Sequence, residues 1–165
     1  MQRHVYDVLK EPRGELYRSF VRFCGARSEE ALLVLCDTIR LGESARDFVQ
    51  RFQGLAVAQK RGEWPGTRIS PRITTVFRFH ITPDLIAYLE TNADGLYDWQ
   101  QPERLEDLCF LRADGSVVLA TIAHEKDAWL ELNSKEHEEV THLLPTACIC
   151  RHRGGEANVG RDWRK

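Results

Sequence analysis

Asp114-Gly115, set between the apolar runs LCFLR and SVVLATI, constrains this chain more than any other pair of residues. Asp-Gly between two alternating runs is a strong signal for an antiparallel hairpin, because its tight turn needs positive φ that Gly and Asp tolerate. With Asp114 and Gly115 as a two-residue loop, Arg112 is predicted opposite Val117, Leu111 opposite Val118, Cys109 opposite Ala120 and Leu108 opposite Thr121. One face then carries Leu108, Phe110, Val117, Leu119 and Ala123 and is the expected core face. The other carries Cys109, Leu111, Val118, Ala120, Ile122 and His124. A second turn near Glu125-Lys126 returns residues 128–132 as a third strand, with Ala128, Leu130 and Leu132 on the core face and Asp127, Trp129 and Glu131 beside His124. The result is a three-stranded meander.

The rest of the chain is read by periodicity and punctuation. Residues 1–10 form a short helix with Val5 and Leu9 on one side, ended by Pro12 and Gly14. Residues 16–24, LYRSFVRFC, alternate between two sets and are predicted as the first strand. Ser28, followed by Glu29 and Glu30, reads as the cap of a helix carrying Ala31, Leu32, Leu35 and Ile39. Ser44 opens another helix to about residue 58, with Phe48, Phe52 and Leu55 at helical spacing. Pro65-Gly66 in the loop 60–72 fits a type II turn, and residues 73–81 alternate as a strand whose core face holds Phe77 and Phe79. Thr82-Pro83 caps a helix ending near Asn92, and Asn133 with Glu136 has the spacing of a capping box for a last helix that Pro145 stops.

At 165 residues the chain suits one ordinary domain. The fold class predicted is α+β: an antiparallel sheet of about five strands, including the C-terminal meander, with helices packed on one side. Residues 1–150 form the single domain, and 151–165 read as a disordered basic tail with four Arg and one Lys. No apolar run is long enough to span a membrane, and residues 1–15 lack the apolar core of a secretion signal. Five cysteines without framework spacing fit reduced thiols and a cytoplasmic location. A net charge of −2 supplies no general basic surface, so nucleic acid is not the expected partner; only the tail's arginines speak for it.

Two places hold residues suited to a site. The loop 95–102 presents Tyr97, Trp99 and Gln100, and Trp64 and Trp129 are further large rings; aromatics with a polar handle recur at binding surfaces but more often simply close a core. His124-Glu125 is the second, with His124 predicted opposite Asp127 and sharing a face with Cys109 and Glu131. It is not the HExxH of a metalloprotease, since position 128 is Ala and the pair sits at a strand end. Cys148, Cys150 and His152 have zinc-ligand chemistry but lack a second knuckle downstream. No phosphate-binding, dinucleotide or nucleophile-elbow motif occurs, so no catalytic residue, metal or cofactor is predicted.

The segments WPGT at 64–67, GLYDWQQP at 95–102, EDLCFLRADG at 106–115 and IAHEKD at 122–127 resemble those of a bacterial family. Its members share these motifs, and some carry the label stage III sporulation protein. Leu105 stands where the family pattern has proline before EDL. The resemblance spans roughly residues 64–132 and implies a fold rather than an activity. A looser similarity is to bacterial toxin-immunity proteins, small α+β domains with a comparable hairpin ending in HE. The function expected is therefore a non-enzymatic, cytoplasmic, immunity-like module that binds a protein partner through Trp64, Tyr97, Trp99 and neighbouring acids. The alternative is a small-molecule or metal-binding enzyme centred on His124, Glu125 and Asp127, and a third is nucleic-acid binding by the tail.

Overall fold

A computed structural model describes residues 2–69, 74–152 and 161–165. Among these, the elements run β1 (His4–Val8), α1 (Glu15–Gly25), β2 (Glu30–Cys36), α2 (Glu43–Phe52), β3 (Ala56–Arg61), β4 (Glu63–Trp64), β5 (Thr67–Arg68) and β6 (Thr74–His80). They continue as α3 (Pro83–Thr91), β7 (Glu106–Leu111), β8 (Val117–Ile122), β9 (Asp127–Leu132), α4 (Ser134–Leu143) and β10 (Ile149–Arg151). The class is mixed as expected, but the main sheet has eight strands rather than about five, in the order β10-β1-β9-β8-β7-β2-β6-β3. Every neighbouring pair in it is antiparallel.

The additional strands come from segments whose local pattern is ambiguous. Residues 31–36 are a continuous apolar run, which helical spacing and a buried strand both explain. In the fold β2 lies between β6 and β7 with both faces covered: Ala31 and Leu33 join the main core, and Leu32 and Val34 join a second one. The helix expected there is a central strand. The reverse happens at residues 16–24, where Tyr17, Phe20, Val21 and Cys24 fall at i, i+3, i+4 and i+7 and bury one face of α1. Residues 4–8, expected as helix, alternate Tyr6 and Val8 inward and form β1. Helix α2 stops at Phe52, six residues short of the expected end, and the chain turns into edge strand β3.

All four helices lie on one face of the sheet, since Phe20, Phe48, Leu85 and Val140 share one apolar cluster with Leu33, Phe110 and Leu130. Among the described residues the opposite face is covered more thinly, by the separate β4–β5 hairpin and a C-terminal segment, through Trp64 and Trp163 packed with Leu111, Val117 and Ala120. Trp163 is buried and its N–H donates to Gly115 O at 3.0 Å, while Arg151 closes β10 against β1. Of the tail expected to be disordered, residues 151–152 and 161–165 are described and make these contacts; residues 153–160 lie outside the described residues. Ile73 also lies outside them, but β6 and its inward Phe79 stand as expected.

The caps read at Thr82 and Asn133 are present, whereas Ser28 precedes strand β2 and α2 is entered from Gly42 without a side-chain cap, so Ser44 lies inside the helix. Thr82 accepts from Leu85 N at 3.2 Å, and Asn133 and Glu136 close a reciprocal capping box on α4. In the meander, Phe110 pairs with Leu119 as predicted, whereas Leu119 pairs with Leu130 rather than Leu132, because the 3-10 turn at residues 123–125 lengthens the connection by two residues. Next to the turn the register differs: Leu111 pairs with Val117, and Arg112 N donates to Ser116 O at 2.8 Å. Ala113, Asp114 and Gly115 form a three-residue loop, with Gly115 alone at positive φ (76°), and β8 holds one extra residue. That bulge moves Val117 to the second face and Val118 to the main core, the reverse of expectation.

Candidate functional site

A second bulge builds the site. Leu32 and Val34 of β2 pair with Cys109 and Glu106, two steps against three, so β7 holds an extra residue between them. Asp107 sits in this bulge with φ 57°, a left-handed conformation that Asp tolerates better than most side chains. In a regular strand, adjacent residues point to opposite faces. Here the bulge brings the carboxylates of Glu106 and Asp107 to one place, where a ligand atom of each lies within 4.8 Å of the other and of a His124 ring nitrogen.

His124 reaches this group from the single-turn 3-10 helix Ala123–Glu125 that follows β8. Asp107 anchors that turn, because its Oδ1 accepts the Ala123 N–H at 2.8 Å while its Oδ2 accepts the Trp64 indole N–H at 2.9 Å. Lys126, at φ 55°, closes the turn with its N–H on Ala123 O. Asp107 is buried, Glu106 half-buried and His124 exposed. Burial, then repulsion from Asp107, pushes the Glu106 carboxyl above its usual range, and His124 partly offsets this. Burial likewise pushes the Asp107 carboxyl up, against the Ala123 and Trp64 hydrogen bonds. Two adjacent carboxyls disfavour ionisation, and a nearby cation relieves both. Each Asp107 oxygen has a second lone pair beyond the bond it accepts.

The residues singled out from sequence divide around this centre. His124 belongs to it, but Glu125 and Asp127 are exposed and are not among its convergent groups. Asp127 pairs with Ile122 instead of His124, because the 3-10 turn takes His124 out of the strand register. Trp99 is 1% exposed in the main core, its indole N–H donating to Tyr17 Oη at 2.8 Å, and Tyr17 in turn donates to Leu89 O at 2.7 Å. Trp64 is 5% exposed and donates to Asp107. Both rings are structural anchors, so the exposed aromatic surface expected for a protein partner is not formed by them. Tyr97 is half-buried, its hydroxyl pushed up to about 12 by burial and by Glu11 and Asp127. Gln100 is spent on Tyr97 O at 2.6 Å. Trp129 packs on the second sheet face.

Cys148 is buried in the main core and Cys150 exposed, and no group of metal-ligating residues among those described includes either one or His152. In the tail, Arg161 pairs with Glu63 at 2.7 Å and Arg164 with Asp162 at 3.1 Å, so these two arginines are already engaged. Motif spacing does not single out Glu106 and Asp107, although the hairpin register extended two residues past Leu108–Thr121 sets Asp107 opposite Ile122 and Glu106 opposite Ala123, next to His124. Comparison of the chain with protein-family models, curated proteins and solved structures finds no match.

Proposed function

We propose that the protein binds a divalent cation at Glu106, Asp107 and His124. The observation behind this reading is the β7 bulge, which turns two successive carboxylates onto the same side as an exposed imidazole. A mixed oxygen and nitrogen donor set suits Zn²⁺ or Mn²⁺ better than Mg²⁺ or Ca²⁺, which prefer oxygen alone. Three protein ligands leave further coordination positions, and with the His124 side chain 58% exposed those positions face solvent. Asp107 is the oriented ligand, fixed by Trp64 and by the Ala123 amide, and His124 is the adaptable one.

This departs from the expected protein-binding module and lies nearer the metal-binding alternative, keeping His124 while replacing Glu125 and Asp127 by Glu106 and Asp107. A cytoplasmic setting accords with five unpaired thiols. No helix of the described residues is long and apolar enough to cross a membrane. Calorimetric titration of the metal-free full chain with Zn²⁺ and Mn²⁺ tests the reading. Saturable one-to-one binding that His124→Ala and Glu106→Gln each abolish is expected. A folded protein that takes up neither ion at millimolar concentration overturns it.

A further inference from the structure

A separate cleft of about 240 Å³ opens on the thinly covered face of the sheet. Its walls are the indoles of Trp129 on β9 and Trp163 in the C-terminal segment, and its polar groups include Asp7 on β1, Asp127 on β9 and His152. Gly66, in the β4–β5 turn, forms its rim: a Cβ there would fall 2.6 Å from Trp129 Cη2, so the turn rests directly on the ring. We propose that this cleft binds a small organic cation with an ammonium or guanidinium group.

The charge of the lining points this way. Among the described residues that line the cleft there is no Lys or Arg. Asp127 is exposed at the mouth, and Asp7 accepts from or pairs with His152 Nδ1 at 2.8 Å, leaving its outer lone pairs available. Glu131 also lines the cleft, but it is buried and already engaged. An anion would meet carboxylates on entry, whereas a cation meets carboxylates and ring faces, whose quadrupole attracts positive charge. One ring already does this within the molecule: the Arg161 guanidinium lies 4.2 Å from the Trp163 ring centroid, with its own charge met by Glu63.

A bare metal ion suits the cleft less well. Among the described residues the convergent ligand group is Glu106, Asp107 and His124, and none of the cleft's acids belongs to it. Acids spread around two aromatic walls match a cation that is itself partly apolar. The volume is below the roughly 300–1,000 Å³ of pockets for drug-sized ligands, which limits the guest to a few carbon atoms.

The test is titration of the EDTA-treated full chain with agmatine, putrescine and neutral n-pentanol, followed by calorimetry and tryptophan fluorescence. Saturable binding of at least one amine, with a fluorescence change and no saturation by the alcohol, is expected; comparing the two amines separates guanidinium from ammonium preference. Asp127→Asn, at an exposed position, should weaken binding roughly tenfold, the loss of about one partly screened ion pair. Trp163→Leu should weaken it further, and His124→Ala should leave it unchanged, which separates this site from the metal centre. Absence of saturable amine binding, equal binding of the alcohol, or unaltered affinity in Asp127→Asn overturns the proposal.

Discussion

The indole N–H of Trp64 donates to Asp107 Oδ2 at 2.9 Å, tying a two-stranded hairpin to a strand with which it does not pair. The bond is buried, and it fixes the orientation of the carboxylate that also anchors the His124 turn. Trp64→Phe keeps most of the apolar contact and removes the donor. A buried acceptor that loses its partner costs about 1–3 kcal/mol, so the urea midpoint should fall with the slope unchanged. Metal affinity should drop as well, because the ligand is less firmly held.

The acids of the site give a pH dependence with a definite sign. Glu106 and Asp107 have folded-state values raised above 4.5 and 3.8, so just above those values the native state holds protons that the unfolded chain has lost. Stability therefore falls as pH rises through that window, and the full cost is present above it. Asp114 titrates the other way: Ser116 and Arg3 outweigh its burial and hold it at about 2, so its contribution is lost only on acidification. The curve for wild type minus Glu106→Gln isolates the site. Melting temperatures of the metal-free proteins should show the variant gaining on wild type as pH rises above the ordinary carboxyl range, and saturating Zn²⁺ should reverse the order. Parallel curves would contradict the account.

Tyr17 links Trp99 to helix α3, accepting the indole N–H and donating to Leu89 O. Burial raises its hydroxyl pKa well above the usual value, so it remains a neutral donor throughout the ordinary pH range. Tyr17→Phe strands a buried N–H and a buried carbonyl at once. A loss of about 2–6 kcal/mol is expected in urea denaturation, on the cost of roughly 1–3 per stranded group. A loss below about 0.5 kcal/mol would mean that water or a shifted partner satisfies both.

Arg112 is a buried cation at the base of the hairpin. Its guanidinium donates to Val117 O at 2.9 Å, Glu131 O at 3.0 Å and Glu136 Oε2 at 2.7 Å, which joins the hairpin base, β9 and the cap of α4. Desolvation lowers its pKa, and the attraction of Glu136 opposes this. Arg112→Met should cost about 3–5 kcal/mol by leaving Glu136 unpaired, and Arg112→Lys should recover little, since a single ammonium cannot reproduce the planar fork. A double-mutant cycle with Glu136→Gln measures the coupling; a value near zero would dismiss it.

Gly66 and Gly54 form a matched pair. Gly66 has φ 83°, and a Cβ would fall 2.6 Å from Trp129 and 2.9 Å from Ile122, whereas a Cβ on Gly54 meets nothing within 4 Å. Gly66→Ala should destabilise by about 1–3 kcal/mol and open the cleft beside Trp129; Gly54→Ala should stay within about 0.5 kcal/mol of wild type. Thermal melts of the two variants decide this, and equal shifts would remove Gly66 from the site.

Local chemistry was legible where one rule governed it. Thr82-Pro83, Asn133 with Glu136 and Pro65-Gly66 each satisfy backbone groups within a few residues, and each forms as read. The hairpin pairing Phe110 with Leu119 was legible too, but the loop length was not, because Asp-Gly serves both a two-residue turn and a three-residue loop with a bulge. Segments 4–8, 16–24 and 31–36 were misassigned because short apolar runs satisfy both helical and strand spacing.

The sequence by itself determined the mixed class, the caps at Thr82 and Asn133, the central meander and the presence of His124 at its end. Only the tertiary structure decided that β2 lies inside an eight-stranded sheet, that Trp64 and Trp99 are buried, and that Glu106 and Asp107 meet His124. The reason is the range of the interactions. Caps and turns are closed by neighbours along the chain, while the β7 bulge depends on register against β2, some seventy-five residues away, which no window along the chain contains.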